Sequence, residues 1–210
     1  MSPRPRQNTD LEILYAAFRA IARLGPGKLT LADVAREANV SAASLVQRFG
    51  SKRALLLAAS TDAAGGHVLI FAGLRAKHRS PTRALYGLAE CMSVLGETPE
   101  QVAHSLAFLQ IDLTDAEFHQ QARRGSNGFH AGICALIKDG IAAGELITCD
   151  AGRLARALQA TLNGSILGWA IHREGPMAAW IRRDLRMVLA PYCEPTRSAA
   201  QRGALRRPPK

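Results

Sequence analysis

The 210-residue sequence predicts an all-α chain: an N-terminal three-helix unit with helix-turn-helix spacing, then a larger helical domain. Three observations carry this expectation. Apolar residues recur at intervals of three and four for most of the length. Cap residues, prolines and glycines punctuate those stretches at helix-sized intervals. No segment alternates apolar and polar side chains over a strand's length. With 48% hydrophobic and 21% charged residues there is enough apolar material for a packed core.

The first helix is expected to open at Thr9-Asp10-Leu11-Glu12. This is a capping box, in which Thr9 and Glu12 satisfy each other's free backbone N–H groups. Leu11, Leu14, Phe18 and Ile21 follow at helical spacing as one apolar stripe. Gly25-Pro26 closes it, because glycine accepts the left-handed cap and proline cannot continue the turn. Thr30 caps a second helix with Leu31, Val34, Ala35 and Ala38 on one face. Asn39 then takes a position that needs positive φ, Val40 plugs the core, and Ser41 caps a short third helix, Ala42 to Arg48. Leu45 is its inward residue and Phe49 closes it.

Helix, tight turn and helix at this spacing occur in DNA-binding units and also in ordinary helical hairpins. The outward face of the third helix favours DNA. Ala42, Ala43, Ser44, Gln47 and Arg48 are small or polar and include no acid. Small side chains let a helix sit deep in the major groove, and Ser44 and Gln47 offer hydrogen bonds to base edges.

The segment Ile13–Ala59 resembles the DNA-binding domain of the tetracycline-repressor (TetR) family. The matching residues are Phe18, Gly25, Thr30, Val34-Ala35, Ala38-Asn39-Val40-Ser41, Leu45, Phe49, Ser51-Lys52 and Leu55. The resemblance implies a dimeric, all-helical transcription regulator with an effector domain after its helix-turn-helix. It also implies that Thr30 and Lys52 touch backbone phosphates. Two positions depart from the family pattern. Asn39 stands where the family usually has Gly, and Val46 stands where it has a Tyr that contacts a phosphate. That second contact falls to Gln47 or Arg48.

Other candidate DNA contacts follow from the residues themselves. Ser51 caps a fourth helix, whose N-terminal N–H groups favour an anion. Ser41 does the same for the third helix, and Ala42, Ala43, Ser44 and Gln47 are placed for base edges. Arg4 and Arg6 lie on an arm that could enter the adjacent minor groove, or be solvated charge.

The charge distribution agrees. The formal net charge is +10. Residues 1–62 hold nine Lys/Arg against five Asp/Glu, and residues 192–210 hold five against one. The 129 residues between hold thirteen against eleven. Positive charge gathered at the two ends suits a polyanion.

Beyond Ser51 a long helix runs to about Ala76, bent or broken at Gly65-Gly66. Ser80-Pro81 opens the next, with Leu85, Leu88, Met92 and Leu95 on one face and Gly96 at its end. Thr98-Pro99-Glu100-Gln101 starts another, with Val102, Leu106, Phe108 and Leu109 inward. Thr114 and Glu117 form a further expected capping box, ahead of a helix carrying Phe118, Phe129, Ile133, Leu136, Ile137 and Ile141 up to Gly144. Asp150 caps a helix with Leu158, Leu162, Ile166 and Trp169. Pro176 starts the last, with Trp180, Ile181, Leu185 and Val188, and Pro191 stops it. The expected division is a basic arm (1–8), a helix-turn-helix unit (9–55), a helical ligand-binding and dimerisation domain (56–191) and a basic disordered tail (192–210).

The stretch Ala157–Ile171 is apolar nearly all round but, at about 22 Å as helix, too short for a bilayer core. Gly164 and Gly168, four apart, allow a second helix to come close. The face is an internal packing surface or, as the resemblance implies, a homodimer interface involving Leu162, Gly164, Gly168, Trp169, Trp180, Ile181 and Leu185. Two recognition helices about 34 Å apart would then read a palindromic double-stranded operator. A small-molecule effector pocket is expected in the larger domain, with Met92, His104, Phe108, Phe118, Phe129 and Trp169 as candidate lining residues; each is otherwise plain core.

No catalytic residues, metal site or cofactor are expected. There is no GxSxG, P-loop or HExxH, and Cys91, Cys134, Cys149 and Cys193 lack metal spacing. His119 and His130 lie eleven apart on one expected helix, with no ligand set around them. No run of about 18 uninterrupted apolar residues and no signal-peptide h-region is present, so the expected setting is cytoplasmic and reducing, away from a membrane. The leading reading is a ligand-responsive transcriptional repressor. The alternatives are a nonspecific basic DNA-binding protein and a ligand-binding bundle that does not use DNA.

Overall fold

The computed structural model describes residues 8–92 and 96–193. The expectations for Arg4, Arg6, Leu95 and the tail from residue 194 lie outside the described residues. Among the described residues ten α-helices follow one another: α1 (Asp10–Leu24), α2 (Leu31–Glu37), α3 (Ala42–Phe49), α4 (Lys52–Gly65), α5 (His67–Lys77), α6 (Pro81–Met92), α7 (Pro99–Thr114), α8 (Ala116–Ala142), α9 (Ala151–His172) and α10 (Met177–Leu189). A 3-10 turn, Ala190–Tyr192, ends the order among the described residues. Among the described residues the only β pairing is one isolated bridge, Leu146 to Cys193.

The expected caps form. Thr9 and Glu12 make the reciprocal box at α1, and Thr30 with Asp33 makes one at α2. Ser41, Ser51, Thr98 and Asp150 each accept a backbone N–H at the start of α3, α4, α7 and α9. The cap expected at Thr114 falls one residue later. Asp115 is the only residue between α7 and α8, and its carboxylate accepts from Glu117 N and Phe118 N. Thr114 remains in α7 and donates its hydroxyl to Gln110 O.

Two hydrophobic clusters hold the chain. The first joins α1 to α4 around Ile13, Ile21, Val34, Leu45 and Leu55, and takes Phe108 from α7 and Phe118 from α8. The second fills the bundle of α5–α10 around Leu85, Leu88, Ile133, Ile137, Leu158, Leu162, Ile181 and Leu185, with Val102 from α7. Leu11 does not join the first cluster and is 46% exposed. α1 turns its alanines, Ala16, Ala17 and Ala20, to its neighbours, and these small residues permit closer helix approach than Leu11 would. Leu106 and Leu109 also stay largely exposed, because α7 buries the Val102–Phe108 arc instead.

The expected fourth helix is two, divided at Gly66. Both run beside α8 at constant register: Gly125 faces Ala64, Gly128 faces His67 and Gly132 faces Phe71. A Cβ at Gly128 or Gly132 would collide with the ring opposite, so glycine is what lets α8 lie this close. The run Lys52–Lys77 is, by length and mean hydropathy (1.5), apolar enough to cross a membrane, yet here it packs Leu55, Leu56, Phe71 and Leu74 into the two clusters.

Candidate nucleic-acid interface

The α2–α3 turn is built by local hydrogen bonds. Ala38 N donates to Val34 O at 2.8 Å and Val40 N to Ala35 O at 2.9 Å. Asn39 sits between them with φ of 52°, the left-handed conformation its type tolerates. Ala35 and Val34 are buried against the neighbouring helices, and Leu45, with no exposed surface, pins α3 from below. With that side chain fixed, helical periodicity turns Ala42, Ala43, Val46, Gln47 and Arg48 outward. Ser44 is only half-exposed, its backbone N–H held by Ser41 Oγ at 3.1 Å. Val46, 50% exposed, stands beside polar Gln47 and Arg48 as a larger apolar member of this face.

The flanking candidates are gathered round α3. Lys52 Nζ donates to Pro26 O at 2.8 Å, which ties the start of α4 to the α1–α2 loop just ahead of Thr30. Thr30 Oγ1 donates to Asp33 Oδ2 at 2.6 Å and accepts from Asp33 N. These Thr30 hydrogen bonds hold the Asp33 carboxyl below its usual range. Ser51 Oγ accepts from Ala54 N. Arg48 is partly drawn back: its guanidinium donates to Asn8 O at 2.7 Å and lies 3.4 Å from Asp10. Lys28, exposed in the α1–α2 loop, adds a positive charge that motif reasoning passed over.

The six candidate lining residues do not meet in one place. Met92, Phe129 and Trp169 belong to the second cluster, with Phe129 packed on Phe71 at 5.3 Å between centroids. The other three form the joint with the α1–α4 unit. His104 Nδ1 lies 2.9 Å from Ala22 O, at the end of α1. Phe108 and Phe118 stand edge to face at 6.0 Å, and Phe18 of α1 continues the row at 6.4 Å. Arg53 of α4 reaches the same place. Its Nη2 donates to both oxygens of Asp115 at 2.8 and 2.9 Å, lies 2.7 Å from Glu117, and its guanidinium covers the Phe118 ring at 5.5 Å. Sequence reasoning missed Arg53 and Asp115, because they are 62 residues apart.

The expected interface residues also divide. Leu162, Trp169, Ile181 and Leu185 are covered inside their own chain, so they support the α9–α10 face rather than form its outer surface. Trp169 Nε1 donates to Gly175 O at 2.8 Å. Ser165 Oγ donates to Asp184 Oδ2 at 2.7 Å and locks α9 to α10. Gly164 is exposed, as are Leu167 (47%) and Ile171 (68%) on the same helix. Trp180, half-buried beside Gly168, is stacked on His172 at 5.4 Å and lies 4.6 Å below the Arg183 guanidinium.

Comparison with known proteins gives two family matches. Residues 13–59 match the family described as bacterial regulatory proteins, tetR family. Residues 82–193 match the C-terminal domain of a BetI-type transcriptional repressor. No curated protein sequence matches significantly. Solved structures with the same fold include a TetR transcription regulator from Haloarcula marismortui (TM-score 0.72, 20% identity, covering 88% of this chain and 98% of that one). The regulator FadR from Bacillus subtilis, in complex with stearoyl-CoA, aligns at TM-score 0.64 and 18% identity over 87% of this chain and 98% of its own. SmeT, the repressor of the Stenotrophomonas maltophilia multidrug efflux pump SmeDEF, aligns at 0.63 and 21% over 90% and 93%.

Proposed function

The chain belongs to the TetR family of bacterial transcriptional regulators, and from that premise we propose that it is a ligand-responsive repressor that binds a palindromic operator as a homodimer. The observation that carries the DNA-binding part is α3. An acid-free outward face, Ala42, Ala43, Val46, Gln47 and Arg48, is held rigid by buried Leu45 and the Ser41 cap. Gln47 is the base-reading residue, and the exposed Val46 suits a thymine methyl group. Thr30, Ser51 and Lys52 set the register on backbone phosphates.

The unit that reads DNA is residues 9–55 and the effector and dimerisation domain is 56–191, with α4 packed into the first cluster and lying along α8. The dimer is formed by α9 and α10 through Gly164, Gly168, Leu167, Ile171 and Trp180. Such a pair presents two copies of α3 to successive major grooves. The small-molecule effector binds among the apolar residues of the larger domain, on the side of Met92, Phe129 and Trp169. It releases DNA to the extent that it prefers the spacing of the two α3 helices that cannot span the operator.

The test is a gel shift with the DNA upstream of the protein's own coding sequence, at stated salt, beside scrambled duplex. A salt-sensitive, sequence-selective shift is expected. Equal binding of all duplexes would leave only nonspecific affinity and overturn the proposal.

A further inference from the structure

Arg53 follows Lys52 at the start of α4, so by charge and position it reads as one more phosphate contact. Its side chain goes elsewhere. The guanidinium takes both oxygens of Asp115, lies 2.7 Å from Glu117 and covers Phe118. Asp115 is also the N-cap of α8, so the clasp grips the corner where α7 turns into α8. The Arg53 hydrogen bonds hold the Asp115 carboxyl below its usual range, and the same bonds raise Arg53.

We propose that Arg53 is a positioning residue, and that the Arg53–Asp115–Glu117 clasp sets the orientation of the DNA-binding unit on the effector domain. The inference rests on the reading of α3 as the DNA-binding helix. Three features support it. The clasp joins the helix that begins beside α3 to the corner of the helices that support the larger domain. It is the charged rim of an otherwise apolar joint, the Phe18–Phe108–Phe118 row with His104 on Ala22 O. Apolar side chains packed edge to face can slide, whereas the charge-assisted bonds from Arg53 Nη2 to the two Asp115 oxygens persist only over a narrow range of distance and angle. Both partners are also partly exposed (51% for Arg53, 31% for Asp115), so the pair adds little to overall stability and acts mainly on orientation.

The experiment uses the full chain and a duplex selected from random sequence by the unaltered protein. Arg53→Gln and Asp115→Asn are each expected to weaken binding of that duplex about fivefold, the size of a modest coupling. Asparagine caps a helix as well as aspartate does, so α8 keeps its start. The double variant is expected to be no weaker than either single one, and the slope of log affinity against log salt is unchanged. Melting temperatures should stay within a few degrees of the parent. A slope lowered by about one in Arg53→Gln would make Arg53 a phosphate contact and overturn the inference. Unchanged affinity, or effects that simply add, would do the same. If the unaltered protein selects no duplex, the failure lies with the DNA-binding reading beneath it.

Discussion

His104 of α7 holds the end of α1: its Nδ1 lies 2.9 Å from the carbonyl oxygen of Ala22, one of the last-turn carbonyls without a helical partner. The ring also covers Gly25, which closes α1 with φ of 75°. A Cβ there would stand 3.0 Å from His104 Cδ2, in a backbone conformation that side chains disfavour. Gly25→Ala is expected to destabilise the chain by about 1–3 kcal/mol, read by urea unfolding. A neutral result would mean the loop relaxes freely and His104 does not clamp it.

Lys52 and Gln47 should fail in different ways. Lys52→Ala is expected to weaken all duplexes about equally and lower the salt slope by about one. It also releases Pro26 O, so a small loss of stability accompanies it. Gln47→Ala should change the preferred base at one position, by about 1–3 kcal/mol, and leave the slope alone. Binding titrations over a salt series, on selected and singly altered duplexes, separate the two. Identical profiles would remove the distinction between register and readout.

Asp112 on α7 gives a pH dependence with a definite sign. Burial alone pushes its carboxyl up to about 6. In the unfolded chain the group titrates near 3.9, so between those values the folded state binds more protons. Stability from this group is therefore present at low pH and falls as pH rises from about 4 through 6. Asp112→Asn removes the cost of a half-buried charge. It is expected to raise stability at pH 7.5 by on the order of 1 kcal/mol, after allowing for solvent screening, and to leave it nearly unchanged at pH 4. Unfolding measured at the two pH values checks this; equal effects at both would assign the change to packing.

The outer surface of α9 supplies a test of the dimer. Ile171 is 68% exposed and touches neither core cluster. Ile171→Asp should leave helical content and melting of the monomer unchanged while shifting sedimentation toward single chains. A parent that sediments as a monomer at all concentrations would refute the two-fold arrangement.

Local chemistry made much of the chain legible in advance. Thr9 with Glu12, Thr30, Ser41, Ser51, Thr98 and Asp150 all cap as expected, and Asn39 takes the left-handed turn. Each involves groups two to four residues apart, whose geometry the backbone dictates without help from elsewhere. Leu45 was legible for a related reason: with Phe49 one turn later, it is a large apolar residue on the side of α3 opposite Val46 and Gln47.

Partnerships between distant residues needed the folded chain. Nothing in the neighbourhood of Arg53 says that it turns from the DNA side to Asp115, or that Phe108 and Phe118 serve the N-terminal cluster while Phe129 serves the other. Nor does the apolar pattern of α9 and α10 separate Leu162, Ile181 and Leu185, covered by their own chain, from Leu167 and Ile171, left outside. Periodicity identifies the apolar sides of a helix. Which neighbour covers each side depends on how all the helices share the available buried volume, and that is settled only when they pack together.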